Sequence, residues 1–418
     1  MTVTEPAESS REDERLEPVL VTFRPELIED PYPWYAEQRQ AGHVFYTLPH
    51  LPHVRMLLLS RHAEVQAVLR DPRFSREDFR TGVTKALGEG PLATAYGLWF
   101  LFMDPPDHTR LRGLVSKAFT PRTVEGLRGQ IETMVEQLLD RQAAKPTFDL
   151  VGEFAYQVPV LVICELLGVP KQDRGRFGAW SAALARGLDN LSATDSEFIM
   201  HGNAAAAGLT DYFRELVAAR RRTTGGDLLS ALIAAEEAGD RLTEDELLAT
   251  CVLLFFAGHE TTVNLIGNGV LALLRHPDQL QRLRDNPALI GNAVEELLRY
   301  DSPVQRTGRV ASEDLEFNGV FIRRGDRVNM LVGAANRDPA QFADPDRLDI
   351  TRPNASQHLS FAAGIHYCVG APLARLEAQL AINALLRRAP NLRLVDERPV
   401  WRPTFVLRGL QALQVAWQ

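Results

Sequence analysis

The chain has 418 residues, of which 45% are hydrophobic and 24% charged, a composition typical of globular proteins. Its formal net charge of −8, without any basic run, argues against nucleic acid as a partner. Three scattered cysteines exclude a disulfide framework and fit a reducing compartment, so we expect a cytoplasmic protein.

The N-terminus is polar and rich in glutamate and arginine, which predicts a flexible segment over residues 1–20. Because it has no apolar stretch, it predicts neither a signal peptide nor a membrane anchor. The longest apolar run, residues 251–257, is too short to cross a bilayer, so we expect no membrane partner. No linker divides residues 21–418, and we expect them to form a single domain.

Along this domain, helix patterns outnumber strand patterns. Strand-like runs occur near Phe45 and over residues 54–60 and 304–328, and residues 104–112 read as a loop that enters a helix. Amphipathic patterns follow over residues 123–143 and 203–222. These patterns predict a mainly α protein with small β-sheets.

A long helix is predicted to begin after Thr243, because Thr243 and Glu246 have the spacing of a capping box. The helical pattern then continues without a breaker to Pro277. From residue 247 to residue 257 it is apolar nearly all round, which predicts burial in the core.

A polar turn, Ala-Gly-His-Glu-Thr-Thr, interrupts this helix at residues 257–262. Gly258 weakens the helix by about 1 kcal/mol relative to alanine, and Thr261 can bond back to the carbonyl four residues earlier. Glu260 and Thr261 place a carboxylate and a hydroxyl where burial without partners is costly. The turn indicates a functional site, and the alternatives are a water-filled polar patch or an exposed helical face. His259 lies on a different helical face, where we expect packing or solvent contacts.

Near the C-terminus, residues 361–370 read Phe-Ala-Ala-Gly-Ile-His-Tyr-Cys-Val-Gly and place Cys368 where a loop enters a helix. Pro372 lies in the first helical turn, where its missing N–H is not needed. The positive helix N-terminus favours an anionic sulfur, and Gly364 and Gly370 permit close backbone approach. The alternative is a buried, inert cysteine.

Residues 361–370 resemble the haem-binding signature of the cytochrome P450 monooxygenases. The resemblance implies that Cys368, as the thiolate, is the metal ligand of a haem b group. Ala362 departs from the pattern, which usually has glycine there, and this leaves the geometry of the loop open. Haem carries two propionates, so a protein that holds it should offer cationic groups at its edge. Four positions match those that bind the propionates in the family: His108, Arg112, Arg309 and His366.

The polar turn resembles the oxygen-activation motif of the same family. The resemblance implies that Ala257 and Gly258 leave space for O2, and that Glu260 and Thr261 are the catalytic acid–alcohol pair that relays protons. Glu296 and Arg299, which alone would predict a solvated ion pair, match the family's Glu-x-x-Arg element, and we assign them to structure.

The family implies a triangular helical fold that encloses haem, and an enzyme that inserts one oxygen atom from O2 into a C–H bond or an alkene. Because no flavin-binding segment is visible, electrons are expected from a ferredoxin and its reductase, with NAD(P)H as their source. We expect a monomer with a basic docking face for the ferredoxin. Its residues would be Arg110, Lys117, Arg122 and Arg375.

Segments that line the substrate pocket in the family carry aromatic side chains here, which predicts a fairly large, apolar substrate. The form of the polar turn resembles enzymes that act on polyketides, macrolides, terpenoids or steroids, and the sequence does not choose among them. The predicted pocket includes Trp99, Phe100, Phe256 and Phe405. The alternatives are a haem-thiolate peroxygenase or oxidative coupling enzyme, and a haem-binding sensor without turnover.

Overall fold

The computed structural model describes residues 25–48, 51–189, 196–223, 225–237 and 242–417, so the predicted flexible segment 1–20 lies outside the described residues. Within them, helices predominate. The helices are α1 (Pro25–Glu29), α2 (Tyr32–Ala41), α3 (His62–Arg70), α4 (Glu77–Leu87), α5 (Pro91–Leu98), α6 (Asp107–Ser116), α7 (Pro121–Glu125), α8 (Arg128–Gln142), α9 (Gln157–Leu166), α10 (Gly178–Asp189), α11 (Ser196–Arg220), α12 (Leu228–Glu237), α13 (Glu244–Arg275), α14 (Pro277–Asp285), α15 (Ile290–Tyr300), α16 (Val332–Ala335) and α17 (Ala371–Arg388).

The strands form small sheets. They are β1 (Val44–Leu48), β2 (Leu51–Leu59), β3 (Phe74–Ser75), β4 (Thr147–Asp149), β5 (Arg306–Ala311), β6 (Leu315–Phe317), β7 (Val320–Ile322), β8 (Arg327–Leu331), β9 (Arg393–Leu394) and β10 (Gln414–Ala416). One sheet has the order β1-β2-β8-β5-β3, in which β2 and β8 are parallel and the other pairs antiparallel. A second has the order β4-β10-β9, and β6 and β7 form a hairpin.

Helix α13 begins and ends where the sequence predicts. Thr243 accepts from the backbone N–H of Glu246, and the Glu246 carboxylate accepts from the backbone of Thr243, which completes the capping box. The helix packs against α9, α11, α15 and α17, and is therefore surrounded by other helices. The helix predicted over residues 123–143 is instead two helices, α7 and α8, which separate at Gly126 and Leu127.

By length and composition, α13 is apolar enough to cross a membrane, although its longest uninterrupted apolar run is short. Most of its apolar window is buried inside the fold, with 83% of those residues covered. Burial of this kind is expected for the central helix of a helical domain, so its composition is weak evidence for a membrane span.

The Glu296–Arg299 pair is fully buried, not solvated as the spacing alone predicts. Arg299 donates to both oxygens of Glu296, at 2.7 and 2.8 Å, and to the backbone carbonyls of Asn336 and Pro345. Arg352 donates to the same carboxylate at 3.1 Å. Two guanidinium groups thus share one carboxylate and tie α15 to the loop that follows α16. The structural assignment made from the family is confirmed.

We expect Arg299→Met to lower the free energy of unfolding by about 3–5 kcal/mol, because it removes one partner of a buried ion pair. Urea unfolding measures the change. Arg128→Met is the matched control, since Arg128 pairs with Glu125 at the same spacing on an exposed surface. There we expect a loss of about 0–1 kcal/mol. Equal losses in the two variants would contradict this account of the fold.

Candidate active site

The loop before Cys368 is built on two residues with left-handed backbone. Ala362 has φ of +60° and Gly364 has φ of +70°. A Cβ atom at Gly364 would lie 2.6 Å from the backbone oxygen of Leu69, at the end of α3, so only glycine fits there. Alanine is tolerated at position 362, at a cost of about 1–2 kcal/mol for its left-handed conformation. The departure from the family pattern therefore keeps the turn that glycine normally makes.

The backbone N–H of Cys368 donates to the carbonyl of Phe361 at 2.9 Å. Burial raises the pKa of its thiol, whereas the backbone N–H of Gly370 and the charges of Arg112 and Arg375 act to lower it. The sulfur thus lies among hydrogen-bond donors and cations at the N-terminus of α17. These are surroundings that stabilise a thiolate once a metal offsets the cost of its burial.

The four predicted cationic residues come together beside this loop. His108 is buried on α6, Arg309 is buried on β5, and the rings of His108 and His366 lie 4.3 Å apart. Nε2 of each histidine is buried and has no hydrogen-bond partner within the described part of the chain. Arg112 donates to the backbone carbonyl of Tyr367, next to Cys368.

The pKa values of these groups report an excess of positive charge. Burial, and then the charge of Arg112, lowers the pKa of His108 to about 4. Burial lowers the pKa of Arg309 to about 10, and burial together with the charges of Arg309 and Arg76 lowers that of His366 to about 2. Both histidines are therefore neutral at pH 7, and the positive charge of the cluster is that of its arginines. A buried cation is stable only when paired, so this cluster fits an anionic ligand.

Arg76 is a fifth member that the sequence reading missed, since nothing at its position in the chain marks it. It is buried, lies over the ring of Phe102 at 4.7 Å, and donates to the carbonyls of Leu101 and Gly308. The negative charge that acts on Arg76 is that of Asp104. This carboxylate already accepts hydrogen bonds from Ser75 and from two backbone N–H groups. The guanidinium of Arg76 therefore adds to the uncompensated charge.

Helix α13 is buried at every position from Glu246 to Leu273 except Ala257, Gly258 and Thr261. These three residues lie on one face of one turn, at spacings of one and four. The accessible surface inside an otherwise buried helix lies where the sequence places the polar turn. Thr261 Oγ1 donates to the carbonyl of Ala257 at 3.3 Å, as predicted for a back-bonded threonine.

Glu260 points away from Thr261. Its carboxylate accepts from Ser181 at 3.0 Å and from Arg402 at 2.8 Å, and only 3% of the residue is exposed. Burial would raise the pKa of Glu260, but bonding and charge from His259, with Arg402 and Ser181, lower it to about 2. Glu260 and Thr261 are therefore adjacent in sequence, but none of the hydrogen bonds found among the described residues joins their side chains.

His259 packs against the rings of Phe255 and Tyr156, as expected, but solvent contact is excluded because it is fully buried. It also hydrogen-bonds to Ser181, at 2.7 Å. Ser181, His259 and Arg402 are therefore partners of Glu260 that the sequence reading did not identify.

A series of ring contacts connects the accessible turn with the cysteine loop. Phe256, which is next to Ala257 in the chain, stacks on Trp99 with 5.7 Å between the ring centroids. Phe100 follows Trp99 in the chain, and its ring centroid lies 6.5 Å from that of His108. The ring of His108 in turn contacts that of His366, which is two residues before Cys368. The two predicted motifs therefore belong to one site.

Trp99, Phe100 and Phe256 are all buried in the main apolar core, and Trp99 is fully buried. Phe405 does not join them, because it packs against Trp34 and Tyr35 in a separate apolar cluster. Three of the four aromatic residues of the predicted pocket thus share one apolar core with α13, whereas Phe405 packs in another.

The predicted docking face is less basic than the sequence suggests. Arg110 donates to Glu246 at 2.6 Å and to Asp107 at 2.8 Å. Arg375 makes a two-point contact with Glu295. These two charges are neutralised within the fold, so Arg110 and Arg375 are poor choices for attracting a partner.

A family model described as cytochrome P450 matches residues 38–390. The chain is 44% identical over 398 residues to the "Biotin biosynthesis cytochrome P450" of Bacillus subtilis (strain 168), which spans 95% of this chain and 98% of that protein. This chain belongs to the cytochrome P450 family.

This cytochrome P450 is also 44% identical over 392 residues to the "Vitamin D(3) 25-hydroxylase" of Pseudonocardia autotrophica, covering 93% of this chain and 94% of that protein. A crystal structure of P450BioI in complex with an acyl carrier protein ligated to hexadec-9Z-enoic acid matches with a TM-score of 0.87 at 42% identity, covering 94% of this chain and 99% of that chain. The predicted fold class is confirmed. The protein is an oxidoreductase of this family, whose members contain haem iron.

Haem fits the residues present in this cytochrome P450. The thiol of Cys368 is surrounded by donors, and the two unpartnered Nε2 atoms of His108 and His366 lie with buried arginines that lack sufficient anions. Two propionates would supply the missing negative charge.

We expect Arg76→Met to weaken haem retention about tenfold, because a charge-assisted contact at the anionic edge is lost. Transfer of haem from the holoprotein to apomyoglobin measures the dissociation rate. Arg73→Met is the control, since Arg73 is exposed and paired with Asp71. Equal dissociation rates for Arg76→Met and wild type would show that Arg76 has only a packing role.

Proposed function

We propose that this cytochrome P450 is a monooxygenase that hydroxylates or epoxidises a fairly large apolar substrate. The reaction combines the substrate with O2, two electrons and two protons, and yields the oxygenated product and one water. The observation that carries the proposal is the accessible turn of α13, joined by ring contacts to the loop of Cys368. The turn leaves three positions of an otherwise buried helix accessible, and the ring contacts connect that helix with a cysteine suited to binding iron.

In this proposal Cys368 is the iron ligand of haem b. His108, Arg112, Arg309 and His366 hold the propionates, with Arg76 adding positive charge. When bound, haem supplies the reductive activation of O2. The protein supplies the thiolate environment, the cationic edge and the dry apolar walls.

Glu260 and Thr261 move protons at the accessible turn. The hydroxyl of Thr261 lies at the accessible turn and can donate its proton to the reacting centre. A proton that comes from solvent then replaces it. Glu260, ionised at neutral pH, accepts and releases protons one residue away. Because their side chains diverge, proton transfer between them requires a bridging group or a rotation of one side chain.

The substrate class is inferred from the pocket wall and from the relatives. Trp99, Phe100 and Phe256 favour an apolar ligand. One relative is named for vitamin D(3) hydroxylation, and a matching structure holds a C16 fatty acyl chain on its carrier protein. We propose a polyketide or macrolide, a terpenoid or a steroid.

Electrons are proposed to come from NAD(P)H through a ferredoxin reductase and a ferredoxin. We further propose that residues 21–418 form one domain, and that the protein is a cytoplasmic monomer.

The test supplies purified holoprotein with NADPH, ferredoxin, ferredoxin reductase and ¹⁸O2, and screens steroids, macrolides and fatty acyl chains. We expect one ¹⁸O atom per product molecule. An oxidised product without ¹⁸O would indicate oxidative coupling, and turnover supported only by added hydrogen peroxide would indicate a peroxygenase. Haem binding without turnover of any substrate would favour a sensor.

A further inference from the structure

The hydrogen-bond roles of the buried His259 follow from its surroundings. Its Nδ1 lies 2.6 Å from the backbone carbonyl of Phe255. A carbonyl oxygen can only accept a hydrogen bond, so Nδ1 carries a proton. In a neutral ring, Nε2 would then be an acceptor.

Ser181 lies between this ring and the carboxylate of Glu260. Its Oγ is 2.7 Å from Nε2 of His259 and 3.0 Å from Oε1 of Glu260. A hydroxyl has one proton, so when the ring is neutral and Glu260 is a carboxylate it can satisfy only one of these two acceptors. When the ring carries both protons, Nε2–H donates to Oγ and Oγ–H donates to Oε1, and every contact is satisfied. The neutral ring with a protonated Glu260 satisfies the same contacts, but the guanidinium of Arg402 on the second oxygen of Glu260 favours the carboxylate, and hence an imidazolium–serine–carboxylate chain.

The other groups that face this chain are consistent with it. Arg402 donates to the second oxygen of Glu260, and its side chain is 26% exposed. The hydrogen-bonded series of side chains therefore reaches solvent at its Glu260 end. The ring of Tyr156 meets that of His259 edge-on at 5.9 Å. Burial, followed by the charges of Glu260 and Cys164, raises the pKa of Tyr156 to about 12, so its hydroxyl is neutral.

We propose that His259 and Ser181 form a proton store that reloads Glu260 during turnover. Nε2–H of His259 passes its proton to Ser181 Oγ, whose own proton moves to Glu260 Oε1, so that imidazolium and carboxylate become imidazole and carboxylic acid. The reaction consumes two protons, and the store supplies one of them without waiting for solvent. Between turnovers, water returns the proton through Glu260. The proposal rests on the proposed function, because it assumes that Glu260 relays protons.

The test compares His259→Gln and Ser181→Ala with wild type. We expect about a tenfold fall in product per O2 consumed, a matching rise in hydrogen peroxide, and a larger solvent deuterium isotope effect. Ser181→Thr, which keeps the hydroxyl, should restore coupling.

His276→Gln is the matched control. His276 also bonds through Nδ1 to the carbonyl four residues earlier, but at the end of α13 and away from Glu260. We expect wild-type coupling in this variant. A similar loss there would overturn the proposal, because it would trace the effect to helix stability.

A second readout needs no turnover. The infrared carboxyl band that disappears in Glu260→Gln reports the protonation of Glu260 in the resting protein. Ser181→Ala should move the titration of the Glu260 carboxyl to higher pH, because the ionised carboxylate loses a hydrogen-bond donor. An unchanged titration would overturn the contact on which the store depends.

The two hypotheses fail differently. If Glu260→Gln itself couples like wild type, the acid role in the proposed function is wrong. If Glu260→Gln uncouples while His259→Gln and Ser181→Ala do not, Glu260 is loaded directly from solvent and the proton store is wrong.

Discussion

Replacing Cys368 by serine is expected to abolish monooxygenation and the thiolate spectrum of the haem. A neutral hydroxyl cannot replace a thiolate that gives electron density to the iron and favours O–O cleavage. The donors of Gly370 and Ala371 and the nearby Arg112 would then face an uncharged group. We expect no measurable product, and a reduced, carbon monoxide-bound Soret band without the red shift of thiolate ligation.

Cys164→Ala is the matched control for that variant. Cys164 is fully buried in α9, and burial raises the pKa of its thiol to about 12, so it is chemically inert. We expect a wild-type spectrum and wild-type turnover in the control. Retention of the shifted band in Cys368→Ser would contradict the assignment of Cys368 as the iron ligand.

Thr261→Val is expected to lower product formation about 100-fold, since positioned proton donors typically contribute at least that factor. Valine keeps the shape and removes the hydroxyl that lies at the accessible turn. Electron uptake should continue, so we expect the missing product to appear as hydrogen peroxide. Parallel measurement of NADPH oxidation, product and peroxide gives the ratio directly.

Thr262→Val tests whether the effect is specific. Thr262 is the next residue, but it is buried on another face of α13. We expect its coupling to stay within about twofold of wild type, as expected for a position outside the proton path. Thr261→Ser should recover most of the product. Equal uncoupling at positions 261 and 262 would contradict the proton role and point to distortion of the helix.

Local features of the site were predictable from the sequence. The capping box at Thr243 and Glu246 fixes the start of α13, and the proline-marked helix start fixes the position of Cys368. The polar turn at residues 257–262 was recognisable because its residues conflict with burial. Such features depend on neighbours within a few residues, which the sequence displays directly.

The partners of the site were not predictable in the same way. Ser181 and Arg402 lie 79 and 142 residues from Glu260 along the chain, and only the packing of α10 and the C-terminal segment onto α13 brings them to it. Arg76 likewise reaches the cationic cluster through the fold. The divergence of Glu260 and Thr261 follows from helix geometry, because adjacent residues on an α-helix point about 100° apart.

Thiolate ligation of haem iron by this protein can be read from one absorption spectrum, recorded on the purified protein after reduction with dithionite and exposure to carbon monoxide. We expect a strongly red-shifted Soret band, which reports thiolate-ligated haem iron. The absence of haem, or an unshifted band typical of a neutral ligand, would contradict it.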